Sequence, residues 1–191
     1  MGNPLSVRCG ARRARARPSR RGSTLLETLI AISVVVVGLL GLLGSISTSV
    51  STTAKTREAA LGAEAARRVV EELRATPFGD VFATYNDDPL DDPGGPGTAA
   101  GSRFEVSGLD PLPTDGDGAA GEVLFPTIAG ALREDSQDSL LGMPRDLDAD
   151  GAVDSEDHSG DYAVLPVLVR VEWSGAKGPG TAEARTILVE Y

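Results

Sequence analysis

Residues 25–44, LLETLIAISVVVVGLLGLLG, limit what this chain can fold into more than any other stretch. Thirteen of these twenty residues are Leu, Ile or Val, and the one charge is Glu27. A helix of twenty residues is about 30 Å long, the thickness of a bilayer core. Each Leu, Ile or Val favours insertion by about 0.3 to 0.6 kcal/mol, against a cost of about 3 kcal/mol for one acid near the helix centre. Insertion wins, and the run is expected to cross a membrane once.

The flanks set the orientation. The first 22 residues hold seven arginines (Arg8, Arg12, Arg13, Arg15, Arg17, Arg20 and Arg21) and no acid. The formal net charge of the chain is −10, so removing that +7 leaves −17 on residues 23–191. Only Lys55 and Arg57 follow soon after the apolar run. This bias predicts the N-terminus in the cytoplasm and the remainder on the other side of the membrane. An arginine-rich arm can also bind nucleic acid. Here it leads into a membrane span, and the acidic remainder would repel phosphate, so no nucleic acid is expected as a partner.

A secretory signal peptide has a shorter apolar region followed by a small-residue cleavage site. Cleavage near residues 44–47 would leave Glu27 unexplained, and an acid in an apolar helix is expensive and marks a function. Cys9, the only cysteine, lies in the basic leader. A product beginning after Gly22 therefore has no disulfide. Arg8 and the lack of a preceding apolar run argue against lipid attachment at Cys9.

Residues 20–31, Arg20-Arg21-Gly22-Ser23-Thr24-Leu25-Leu26-Glu27-Thr28-Leu29-Ile30-Ala31, resemble the leader junction of type IV prepilins, usually G-F-T-L-I-E-V-L-V-A. The resemblance implies that a membrane prepilin peptidase cuts between Gly22 and Ser23 and methylates the new N-terminus at Ser23. Glu27 then becomes the fifth residue, where the family keeps its acid. The implied role of Glu27 is to pair with the N-terminal amine of a neighbouring subunit during filament assembly. A carboxylate unpaired in hydrocarbon is costly, and pairing offsets part of that cost, so the acid favours docking in register. Ser23 departs from the usual Phe. The resemblance covers about the first fifty residues and requires leader charge, glycine, acid position and span to agree. It implies a minor pilin or pseudopilin of a type IV pilus, competence or type II secretion filament. The implied partners are other pilin or pseudopilin subunits, the prepilin peptidase/methyltransferase and an inner-membrane assembly platform.

No proline interrupts the pattern before Pro77. Ile46, Val50, Ala54, Leu61, Ala65, Val69 and Leu73 recur mostly every four residues, which predicts one helix over residues 23–75 with an amphipathic second half. Residues 59–78, AALGAEAARRVVEELRATPF, resemble the helix end of minor pilins and pseudopilins. Gly38, Gly41 and Gly44 permit close helix packing or local loosening of the helix. Residues 80–101 are rich in turn formers and acids and read as a surface loop, with a short strand at 81–85. Residues 103–107 and 122–126 read as short strands. Residues 162–173 are the clearest strand, with Leu165, Val167, Val169, Val171 and Trp173 on one face. Pro166 there argues for an edge or a bulge. Residues 174–181 read as a hairpin loop and 184–191 as the last strand. The expected fold is α+β, a long N-terminal helix on a small antiparallel sheet of about four strands. The expected segments are leader 1–22, span 23–44, amphipathic helix 45–76 and a β-rich head over 77–191.

Within the head, residues 146–157 read DLDADGAVDSED, with acids at positions 1, 3, 5, 9 and 12 of a twelve-residue loop and Gly151 at position 6. Alternate oxygen ligands, a glycine turn and a carbonyl at position 7 are what a calcium loop needs. The candidate ligands are Asp146, Asp148, Asp150, the Ala152 carbonyl, Asp154 and Asp157, and the expected cofactor is a structural calcium ion. The loop resembles dockerin repeats, which use Asp at position 12; it lacks the flanking helices of an EF-hand. A solvated acidic loop is the bland alternative. Two further acid clusters, Asp87, Asp88, Asp91 and Asp92 and then Asp115 and Asp117, lack this spacing and read as solvated. His158 is the only histidine, and no nucleophile motif or phosphate-cradling loop accompanies it, so no enzyme is expected. A membrane-anchored calcium-binding module that does not assemble is the alternative reading of the whole chain.

Overall fold

A computed structural model describes residues 21–114, 116 and 118–190. Residues 1–20 of the expected leader, Cys9 among them, lie outside these, as do Asp115, Asp117 and Tyr191. The chain divides into two compact units, Met1–Ser47 and Thr48–Tyr191.

The longest element is α1, Arg21–Ala75, a single helix of 55 residues. In the first unit its apolar side chains, from Leu25 through Leu43, are exposed. A helix apolar on every side and covered by nothing suits lipid or other helices. It is long and apolar enough to cross a membrane.

In the second unit α1 becomes amphipathic. Ala65, Ala66, Val69, Val70 and Leu73 are buried, and Leu61 packs against the same core. The apolar stripe expected from residue 46 therefore starts later in packing terms, since Val50 is 66% exposed. Pro77 disfavours helical backbone at Thr76 and stops the helix, and Arg74 in the last turn complements its dipole.

The sheet is antiparallel, in the order β1 (Arg103–Phe104), β2 (Gly121–Leu124), β5 (Val164–Gly175) and β6 (Gly178–Val189). The α+β architecture read from the sequence, a long helix and four antiparallel strands, is the observed one. Leu165, Val167, Val169, Val171 and Trp173 of β5 are all buried. Leu168, on the other face, is fully buried too, so that face turns polar only from Arg170 onward. β2 pairs with β5 only from Leu168 to Val171, which leaves Pro166 beyond it, where β5 has β6 as its one neighbour. A proline is tolerated at such an edge. Trp173 lies across Gly62 of α1 and Gly180 of β6: a β-carbon would come within 2.8 Å of its ring at Gly62 and 2.4 Å at Gly180. Both glycines are there for close approach.

Four local expectations are corrected. Residues 81–85 form a helix, α2 (Val81–Tyr85), after a single 3-10 turn at Phe78–Asp80. The backbone N–H of Asn86 donates to the Phe82 carbonyl at 3.0 Å, so the donors expected in a ladder are used locally. The loop expected at 174–181 shrinks to a tight turn, because β5 runs to Gly175 and β6 starts at Gly178. Glu58 of α1 accepts the Ala176 N–H in that turn at 3.3 Å. The strand expected at 103–107 is two residues long, and the Leu109 N–H turns back to the Val106 carbonyl. Finally, a small hairpin, β3 (Thr127–Ile128) and β4 (Ala131–Leu132), appears where none was expected. Its turn holds Ala129 and Gly130 at φ 53° and 89°, the geometry of a tight hairpin turn.

Tyr162 ties the end of the helical region to the start of β5. Its hydroxyl donates to the Phe78 carbonyl at 2.7 Å and accepts the Phe82 N–H at 3.3 Å. Its ring tilts against that of Phe78.

Candidate metal centre

The centre is built where the segment after β4 runs beside the acidic loop. The Leu132 carbonyl accepts the His158 N–H at 3.0 Å, and the Glu134 carbonyl accepts the Arg145 N–H at 3.1 Å. Leu147, fully buried, anchors the loop in the core, and its carbonyl accepts the N–H groups of Ala163 and Val164 at 2.7 and 2.8 Å. The loop is thereby fixed to the start of β5.

Inside the loop the aspartates shape the backbone. Asp146 accepts from Ala149 N–H at 2.6 Å with one oxygen and from Gly151 N–H at 2.9 Å with the other. Asp148 accepts from Asp150 N–H at 3.0 Å, and Asp150 from Ala152 N–H at 2.7 Å. The chain can fold over these carboxylates because Gly151 sits at φ 94°, a conformation open to glycine.

Glu134 holds the loop from outside it. Its side chain is 1% exposed. One carboxylate oxygen accepts the backbone N–H groups of Leu147 and Asp148, and the other accepts that of Asp154 at 3.0 Å. Three donors on one buried carboxylate satisfy it, as a buried charge requires.

His158 sits beside it, 4% exposed. Its Nε2 is 3.2 Å from Asp154 and 3.9 Å from Glu134, and its Nδ1 is 3.2 Å from Asp161 and 3.8 Å from Asp148. Burial alone would lower its pKa, but the hydrogen bond to Asp154, the charge of Glu134 and the bond to Asp161 outweigh it, and the pKa is raised. Asp154 is held below the usual carboxylate value by the Glu156 N–H and then by His158. Asp157 is lowered chiefly by the Ser159 hydroxyl. Asp148 moves up: the Asp150 N–H favours its charged form, but desolvation and the neighbouring charges of Asp150 and Glu134 prevail.

Three ligand sets come together, each with one donor atom per residue and all atoms within 4.8 Å: Glu134, Asp146 and Asp148; Glu134, Asp154 and His158; and Asp148, His158 and Asp161. This buried cluster of carboxylates and one histidine can hold a metal ion. Of the side chains proposed from sequence, Asp146, Asp148 and Asp154 enter these sets and Asp150 and Asp157 do not; the sets contain side-chain donors alone and so do not bear on the Ala152 carbonyl. Asp157 instead accepts the Leu132 N–H at 3.1 Å and also bonds Ser159. Glu134 escaped the sequence reading because it lies outside the spaced loop, in LREDSQD, where nothing separates it from its acidic neighbours. His158 was visible, but its carboxylate partners were not.

Gly22 and Ser23 lie in the first turn of α1, and Glu27 follows one turn later on its exposed surface. No family model, no curated protein and no solved structure matches the chain.

Proposed function

We propose that the chain is a prepilin-like filament subunit, cut between Gly22 and Ser23 and methylated at Ser23, with a head stabilised by calcium. The observation that carries the reading is the placement of Glu27 five residues after the Gly22 junction, at the start of a helix that exposes apolar side chains throughout its first unit. Such a surface requires lipid first and neighbouring helices later. Cleavage leaves an amine at Ser23, and Glu27 of the adjacent subunit neutralises it when both leave the headgroup region. The partners are other pilin or pseudopilin subunits, the prepilin peptidase/methyltransferase and an inner-membrane assembly platform. A membrane-anchored, cation-binding module that does not assemble would explain the span and the centre, but it needs neither Gly22 nor Glu27. Glu27→Ala separates the two: the filament reading expects the variant to be cleaved and stay in the membrane yet to vanish from sheared filaments. Equal recovery of variant and native chain from the filament fraction would remove that role.

In this reading calcium is held by Asp146, Asp148 and Asp154 with the Ala152 carbonyl and Asp150, all hard oxygen donors. Glu134 takes the place of the loop-closing acid that the spacing gave to Asp157. The ion would offset the mutual repulsion of carboxylates in a head that has no disulfide. Calcium is expected to raise the melting temperature over that in chelator, and Asp146→Ala with Asp150→Ala to abolish the difference. An identical melt with and without calcium in the native chain would contradict the assignment.

A further inference from the structure

The helix α1 has one stretch in the second unit that is neither packed nor composed for stability. Residues 48–56, TSVSTTAKT, hold six Ser or Thr among nine, and none of the nine is buried. Hydroxyl and β-branched side chains are weak helix formers, because they lose rotamer freedom or bond to the backbone in place of the helix. The second effect is visible. The Ser51 hydroxyl donates to the Thr48 carbonyl at 2.9 Å, and the Thr52 hydroxyl donates to the same carbonyl at 2.9 Å. Thr53 donates to Ser49 at 3.0 Å, and Thr56 to Thr52 at 3.0 Å. Such back-bonding competes with the i→i−4 ladder and bends helices. A carbonyl that already has a hydroxyl donor also loses less when its backbone N–H lets go.

The next stretch is different. Residues 59–66, AALGAEAA, are rich in the best helix former. Arg68 pairs with Glu72 and Arg74 with Glu71 along the surface, and Ala65, Val69 and Leu73 are buried. Its opening would require the core to open.

We infer that residues 48–56 form a yielding joint, which opens locally while α1 from Leu61 onward stays closed. The joint lets the helix change its path at a fixed place without disturbing the core of the second unit. It does not depend on the filament reading, since an anchored module would have it as well.

Hydrogen exchange of the full-length protein in detergent micelles, read by mass spectrometry, tests this. Amides of residues 52–56 are expected to exchange at least about tenfold faster than those of residues 65–73, as befits local rather than global opening. The variant Ser51→Ala, Thr52→Ala, Thr53→Ala, Thr56→Ala removes the competing hydroxyls and leaves the core untouched. It is expected to slow exchange in 52–56 by about tenfold and to leave 65–73 unchanged. Equal protection of the two stretches in the native chain, or unchanged exchange in the variant, would overturn the joint.

Discussion

Glu134 is the residue on which the head's acidic half depends. A buried carboxylate that accepts three backbone N–H groups orders the loop at Leu147, Asp148 and Asp154 simultaneously. Removing it leaves those three donors without their acceptor. Glu134→Ala should therefore cost about 3 to 5 kcal/mol, the range for breaking a buried charged network. Urea denaturation in chelator measures it, and a loss under about 1 kcal/mol would mean the loop is held by something else. His158 makes the same network pH-dependent. Its pKa is raised above the ordinary 6.5, so its contribution is complete below that value and fades as pH rises through the folded value. Asp154 and Asp157 are lowered, so their contributions are present above the unfolded carboxylate range and fade as pH falls. In chelator, the melting temperature should thus decline as pH rises above the ordinary imidazole value of 6.5, and His158→Gln should flatten that decline. A native curve with no slope there would refute the role given to the imidazolium. None of this could be read from spacing, because Glu134 reaches the loop through the fold and not through the local sequence.

Among the elements, those with a long period were legible and the short ones were not. α1 declares itself over dozens of residues, and β5 alternates long enough to fix its buried face. α2 and the β3–β4 hairpin are too short to show a period: five residues and two pairs. By sequence the turn between β5 and β6 reads as a loop, because Gly175, Gly178, Pro179 and Gly180 usually mark one. Here Gly175 and Gly180 serve a different need, since a β-carbon at Gly180 would meet the Trp173 ring and one at Gly175 the Glu58 carboxylate and the Gly178 carbonyl. The same crowding yields a prediction for Gly62. Ala in place of Gly inside a helix ordinarily stabilises by about 1 kcal/mol. At Gly62 the new methyl group would press on the Trp173 ring, which Gly180 confines on its other side, and overpacking of this kind costs about 1 to 3 kcal/mol. Gly62→Ala should lower the denaturation midpoint, whereas a raised midpoint would show that the ring can move. Tyr162→Phe removes the bond to the Phe78 carbonyl and the acceptor of the buried Phe82 N–H, and should cost about 1 to 3 kcal/mol by the same measurement.

At the scale of the whole chain, charge and apolarity are kept apart. The apolar surface lies along the first part of α1, while residues 77–163 hold twenty acids against three arginines. That segment accounts for the full −17 of residues 23–191. In the proposed filament, subunits carrying such heads would repel one another at close range, more so at low salt. A cation in the loop would reduce that repulsion as well as order the loop. Recovery of the chain in sheared filaments should accordingly rise with calcium at low ionic strength; no response to calcium would separate the metal centre from assembly.

The central claim is the cut that turns the leader's end into a new, charged N-terminus beside Glu27. Intact-mass and peptide mass spectrometry of the membrane-resident protein, purified from cells that have a prepilin peptidase, tests it directly. The account predicts a chain that begins at Ser23 and carries an N-methyl group. A chain that retains Met1 and the arginine-rich leader would contradict it.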